Sequence, residues 1–145
     1  MGQQQLLLII LGVIIVGIAV AVGITMFQDN AIDQNRSAVI ADLTTLAAKA
    51  QQFYAKPITL GGGGNSFAQG GDGGAGLTAT AVGLAYLASP AFTTNANGVY
   101  TIKTGGTATT VILHGKGAIS IDGGTNFPEY DMTVTASNQV PTKIK

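Results

Sequence analysis

The sequence predicts an α+β fold: one long N-terminal α-helix, apolar in its first half and amphipathic in its second, packed against a small antiparallel β-sheet. Three observations predict it. An uncharged apolar run, Leu6 to Phe27, opens the chain. A stripe of apolar residues at helical spacing follows: Ile32, Val39, Leu43, Leu46, Ala50 and Phe53. The last third of the chain alternates β-branched or aromatic residues with polar ones, between glycine-rich turns.

The apolar run comes first. About 22 residues at 1.5 Å each reach roughly 33 Å, enough to cross a hydrocarbon core of about 30 Å. A helix on the surface of a soluble domain is apolar on one stripe only. The remaining chain cannot bury this run on every side, so it sits in lipid or among copies of itself. Gly12, Gly17 and Gly23 interrupt it. Each costs about 1 kcal/mol relative to Ala in a helix, but small residues let helices approach closely in membranes. A secretory signal has a basic start and a shorter apolar core. Residues 1–5 carry no Lys or Arg, and the run is longer than that core, so the segment is read as retained in the mature chain.

From Asp29 to Tyr54 the pattern turns amphipathic. The stripe residues fall three, four or seven apart, on one helix face with a near-heptad repeat. Asp29, Asp33, Arg36, Asp42 and Lys49 lie mostly off that face, acids early and bases late, which suits the helix dipole. Pro57 ends the helix, because proline has no N–H to continue it and biases the residue before it to extended geometry. The predicted helix runs from about Gln3 to about Tyr54, roughly 75 Å. The chain then divides into an apolar helix, 1–28, and a globular head, 29–145. The head comprises the amphipathic helix 29–55, a glycine-rich loop 56–98 and an antiparallel sheet 99–145.

Within the loop, Gly61–Gly76 holds most of the glycine, with Phe67 as an anchor onto the head. Leu77–Ala88 reads as a short helix ended by Ser89-Pro90, and residues 95–98 as a turn. Strands are expected at Val99–Thr104, at Thr107–His114 after a Gly105-Gly106 turn, and at Tyr130–Ala136. Lys116–Ile121 is either a further short strand or a continuation of the second past a kink at Gly115 and Gly117. The tail Asn138–Lys145 is expected on the surface. Strands this close in sequence pair antiparallel. A small sheet with one apolar face needs a cover, and the stripe Ile32, Val39, Leu43, Leu46 and Phe53 is the expected helix–sheet contact.

Composition excludes several functions. Net charge is zero and charged residues make up 10%, far from the basic balance that selects phosphate backbones, so no nucleic-acid partner is expected from bulk electrostatics. The absence of Cys excludes disulfides, thiolate metal sites and cysteine nucleophiles. The Gly-x-Gly patterns of the loop lack a following Gly-Lys-Ser/Thr, so they read as loop rather than phosphate cradle. His114 is the sole histidine, with no second ligand nearby in sequence. Asp122, Glu129 and Asp131 flank a turn and offer oxygens of the kind calcium takes; ordinary turn carboxylates are the plainer reading. Asn35-Arg36-Ser37 matches the glycosylation sequon but lies within a helix. Phe27, Phe53 and Tyr54 read as core-packing aromatics. No Ser/His/Asp set or paired-carboxylate cleft assembles. No enzyme, catalytic residue, cofactor or metal ligand is therefore assigned.

A helix that is half apolar and half amphipathic, then a variable loop and a small antiparallel sheet, resembles the type IV pilin family. The resemblance covers the whole architecture and is most specific over residues 1–54. Met1 and Leu6–Phe27 match the family's register, in which an apolar helix starts near mature residue 6; the Phe53-Tyr54 pair near the end of the amphipathic half is similar too. Gln5 departs from the family's Glu at that position, Gly23 stands near the family's frequent proline, and the C-terminal disulfide of many members is absent. The resemblance implies processing by prepilin peptidase, N-methylation of Met1, an assembly machinery, and a membrane-anchored subunit that joins an extracellular homopolymer. It also implies assembly roles for Met1 and Gln5. Gly12, Gly17 and Gly23 are the candidate packing positions along the run. Adhesion, motility or biofilm formation are the implied roles. Two alternatives stand beside this: a pseudopilin of a type II-like secretion system, and a single-span membrane protein whose outer β-domain binds a ligand.

Overall fold

In the computed structural model, which describes residues 2–68, 76–77, 87 and 93–145, a helix of 54 residues, α1 (Gly2–Ala55), carries the chain to its first turn. A 3₁₀ turn at Ile58–Leu60 follows. Four strands then form one antiparallel sheet: β1 (Gly98–Thr104), β2 (Thr110–Gly117), β3 (Glu129–Thr135) and β4 (Gln139–Lys143), paired in chain order. The fold is α+β, with the second half of the long helix lying across the sheet.

No proline interrupts α1 before Pro57, and its hydroxyl side chains bond back to the preceding turn. Thr25 Oγ1 donates to the Val22 carbonyl at 2.8 Å, and Thr44 Oγ1 to that of Ile40 at 2.8 Å. The C-terminal carbonyls of a helix lack helical partners; here the glycine-rich chain turns back to supply them. Gly63 N–H donates to the Phe53 carbonyl at 2.7 Å, Asn65 N–H to Tyr54 at 2.8 Å, and Gly64 N–H to Lys56 at 2.9 Å. Gly61 makes that reversal at φ +77°, a conformation that costs glycine little.

The core lies between helix and sheet. Val39, Leu43, Leu46, Ala47, Ala50 and Phe53 meet Tyr100 and Ile102 of β1, Val111 and Leu113 of β2, and Tyr130, Met132 and Val134 of β3. Burial alternates residue by residue along β2 and β3, as a sheet with one covered face requires. Phe67, Leu77 and Leu87 close the far end. The Phe67 ring lies 4.7 Å from that of Tyr54.

Several expectations are corrected. β2 runs unbroken through Gly115 to Gly117, and residues 118–128 form a loop rather than a third strand. Gly115 occupies an inward position: a Cβ there would lie 3.0 Å from Val39 Cγ1 and 3.1 Å from Leu43 Cδ1. The glycine lets the helix approach the strand rather than kinking it. Residues 107–109 form a turn, not the start of β2, because Thr107 Oγ1 accepts from the Thr109 and Thr110 amides at 3.3 and 3.0 Å. The tail is not loose: β4 pairs with β3 from Val134↔Gln139 to Tyr130↔Lys143. Its side chains are mostly exposed, and Pro141 suits an edge strand, where one side of the backbone faces solvent. The short helix expected at Leu77–Ala88 lies outside the described residues except for Leu77 and Leu87, both buried.

Polar contacts fix the helix against the sheet at both ends of the head. Gln51 Nε2 donates to the Thr135 carbonyl at 3.0 Å, and Gln139 Nε2 to Gln51 Oε1 at 3.0 Å. At the other end, Asp42 Oδ2 accepts from Tyr100 Oη at 2.7 Å, Asn97 Nδ2 at 2.9 Å and Asn95 Nδ2 at 3.0 Å. Burial raises the Asp42 pKa, but the bonds from Asn97, Tyr100 and Asn95 outweigh it and the net shift is downward. Burial, together with the Asp42 carboxylate, pushes the Tyr100 phenol up. Removing the carboxylate in Asp42→Ala is expected to cost roughly 1.5–3 kcal/mol, toward the low end because the group is partly exposed. A folded pKa below the unfolded one stabilises above the unfolded value and is lost as pH falls through the folded one. The parent should therefore lose stability below about pH 4, and Asp42→Ala should lose less over that range. Urea unfolding at stepped pH, followed by circular dichroism, checks both expectations.

Candidate membrane and assembly site

The first half of α1 leaves the head and touches nothing. Its large apolar side chains from Leu6 to Phe27 are between 49% (Leu11) and 79% (Phe27) exposed. Its most apolar window has a mean hydropathy of 3.2 with no residue buried. The helix is long and apolar enough to cross a membrane, which is compatible with membrane anchoring. The polar groups within it are already satisfied: backbone bonds run along the helix, and Thr25 bonds to Val22. A helix meets this demand of hydrocarbon within one segment.

Gln5 lies on this exposed stretch, and Met1 falls outside the described residues. A Cβ at Gly12, Gly17 or Gly23 would meet nothing within 4 Å. The three glycines do not share one face. At about 100° per residue, Gly12 and Gly23 lie within roughly 20° of each other, and Gly17 is turned about 140° from Gly12. Phe27, read from sequence as core-packing, is instead on the outside. Phe53 is buried against the sheet, at 6% exposure, as are Val39, Leu43 and Leu46. Ile32, also buried, marks where the rod meets the head. It borders a hollow of about 300 Å³ together with Asp29, Asp33, Arg36 and Ile121. Arg36 pairs with Asp33 at 2.8 Å.

The sequon is closed. Asn35 is buried, its Nδ2 donates to the Asn97 carbonyl at 2.8 Å, and its Oδ1 accepts from Ile119 N–H at 3.4 Å. The three acids weighed as calcium ligands are divided among separate partners. Asp122 Oδ1 accepts from Ser120 Oγ and Gly124 N–H, both at 2.9 Å, and Oδ2 from Asn126 Nδ2 at 2.6 Å. The Gly124 amide, with Ser120 and Asn126, holds this carboxyl down at about 2. Asp131 lies on the outward face of the sheet between His114 Nδ1 at 2.8 Å and Lys103 Nζ at 2.5 Å. Burial raises its pKa, but the bonds from Lys103 and His114 prevail and the net shift is downward. Glu129 faces Lys116 at 4.0 Å. Among the described residues, no group of three His or acidic side chains could hold a metal ion.

Sequence reasoning missed Asn35 and Asp42 as the joints of the head. The turn 95–98 was legible, but not that Asn95 and Asn97 would reach the helix 53 and 55 residues away from Asp42. Comparison of the chain with protein-family models, with curated proteins and with solved structures finds no match.

Proposed function

We propose that this chain is a structural subunit that polymerises through its N-terminal helix into an extracellular filament of the type IV pilus kind, after waiting in the membrane on that same helix. The observation that carries the reading is the continuity of α1. One unbroken helix is packed under a folded head at one end and wholly unburied along the apolar stretch at the other. In the membrane, lipid covers the stretch. In the filament, neighbouring copies cover it. In water, exposure would cost about 25 cal/mol for each Å² of apolar surface, so the rod always needs a cover. Contacts of this kind are head-to-tail and do not close, which produces a helical polymer. The sheet would then face outward and set the surface chemistry. Adhesion, motility or biofilm formation would follow from that surface, with prepilin peptidase and an assembly machinery as the partners that deliver the subunit.

A photo-crosslinking amino acid placed at Val16 tests this in the producing cells. A ladder of crosslinked copies supports it. Lipid adducts of a lone chain, with no ladder under any growth condition, would reject it.

With Gln5 in place of a carboxylate, alignment of the rods falls to apolar packing. Gln5→Glu should leave the filament yield nearly unchanged. Gly17→Leu should reduce it several-fold, because the bulkier side chain holds apart helices that a small residue lets approach. Quantifying sheared filaments by immunoblot checks both.

A further inference from the structure

We propose that the loop joining β2 to β3, residues 118–128, rests in the headgroup layer of the membrane that holds the apolar rod, so that the head is seated on the bilayer rather than held above it. The inference rests on the membrane-anchored reading of residues 6–27 and adds a second contact surface to it.

The rise of α1 sets the depth. Phe27 ends the apolar run, and Asp29 follows two residues later, roughly 3 Å along the axis. A headgroup layer occupies roughly 5–8 Å on each side of the hydrocarbon core. The rod, at about 33 Å, is only slightly longer than that core. Asp29 therefore stands within the headgroups. The loop lies beside the two turns of helix that follow: Ile121 borders the hollow lined by Asp29, Ile32, Asp33 and Arg36, and Ile119 N–H donates to Asn35 Oδ1. Ile121 N–H donates to the Asn126 carbonyl at 2.7 Å, which carries residues 122–126 to that end of the head. The strand directions agree. β2 descends from Thr110 to Gly117, where Asn35 Oδ1 blocks the space a Cβ would take, and the loop hangs below that point.

Its chemistry suits an interface. Between Gly117 and Pro128 the only charged residue is Asp122, and both its oxygens are taken up by Ser120, Gly124 and Asn126. Ile119 remains 40% exposed, while Ile121 and Phe127 are partly covered and Pro128 is buried. A loop whose single carboxylate is bonded within the loop, with one exposed isoleucine and compact turns, can enter a zwitterionic headgroup layer and has no cation that would call for anionic lipid. Lys103, His114 and Asp131 lie on the outward face of the sheet, outside this loop.

The chain has no Cys, so single labels are unambiguous. Full-length Ile18→Cys, Thr125→Cys and Thr109→Cys would carry an environment-sensitive fluorophore in phosphatidylcholine vesicles, with quenchers at the acyl chain, at the headgroup or in water. The proposal expects acyl-chain quenching at position 18, headgroup quenching with a blue-shifted emission at 125, and aqueous quenching at 109, at the opposite end of the head. Adding Ile119→Asp should return the label at 125 toward aqueous quenching, with position 18 and the circular dichroism unchanged. If 125 behaves like 109 while 18 is quenched from the acyl chains, the seating is wrong and the anchor stands. If 18 is quenched from water, the anchor itself fails and the seating with it. Protection of 125 that vanishes as vesicles are diluted with lipid would assign the loop to a second copy and overturn the proposal.

Discussion

Leu43→Ala is expected to destabilise the head by about 2–5 kcal/mol, the range for removing a fully buried leucine and leaving a cavity. Leu43 has no exposed surface, and Gly115 of β2 sits directly against it. The gap cannot be refilled cheaply, because the backbone of the strand already approaches the helix as closely as a missing Cβ allows. Val39 and Leu46 flank the gap on the same helix face. Because no residue in the apolar window of the rod is buried in the head, the loss should appear in unfolding of the sheet and leave the helicity of residues 6–27 in detergent intact. Urea unfolding of the parent and variant, read separately by tyrosine fluorescence and far-ultraviolet dichroism, measures it. Wild-type stability in Leu43→Ala would mean that the helix does not cover the sheet.

Ile15→Asp is expected to act in the opposite way, leaving the head folded and disabling the rod. Ile15 lies near the middle of the apolar run and is 57% exposed. An aspartate at the centre of a membrane helix costs about 2.5–3.5 kcal/mol on insertion, about 70- to 400-fold in partition. It would also bring an unpaired carboxylate into any core made of these helices, where burying an isolated charge costs several kcal/mol. The variant should therefore insert less efficiently and yield no filaments, while retaining the unfolding curve of the parent head. Fractionation and urea unfolding on one preparation separate the two effects. Parent-like filament yield from Ile15→Asp would remove the rod from the assembly account.

What was legible in the sequence followed from strong periodic signals. Spacing predicts a long helix from about Gln3 to about Tyr54, and it runs from Gly2 to Ala55, because nothing within it breaks helical spacing before Pro57. The strands at Val99–Thr104 and Tyr130–Ala136 are legible because alternation survives wherever one sheet face is covered, and Tyr100, Ile102, Tyr130, Met132 and Val134 form that face. β4 gave no such signal. As an edge strand it uses its backbone to pair and leaves its side chains in solvent, so Val140, Pro141 and Lys143 show no period. The turn at Thr107 was missed because it depends on a hydroxyl hydrogen bond that spacing does not reveal. Asn35 and Asp42 look like ordinary polar positions on an exposed helix face. Their role comes from partners in the turn 95–98, which only the folded chain brings near. Phe27 differs for another reason: it belongs to the rod, over which the described residues of this chain lay no cover.

The central claim is that one helix serves as lipid anchor before assembly and as filament core after it. Electron cryo-microscopy of surface filaments from cells producing this chain tests it most directly. The account predicts a helical polymer with residues 6–27 of every copy packed around the axis, Gly12, Gly17 and Gly23 at helix–helix contacts, and the β1–β4 sheets outside. Cells that yield no polymer, with the chain recovered only as a monodisperse monomer in detergent, would contradict it.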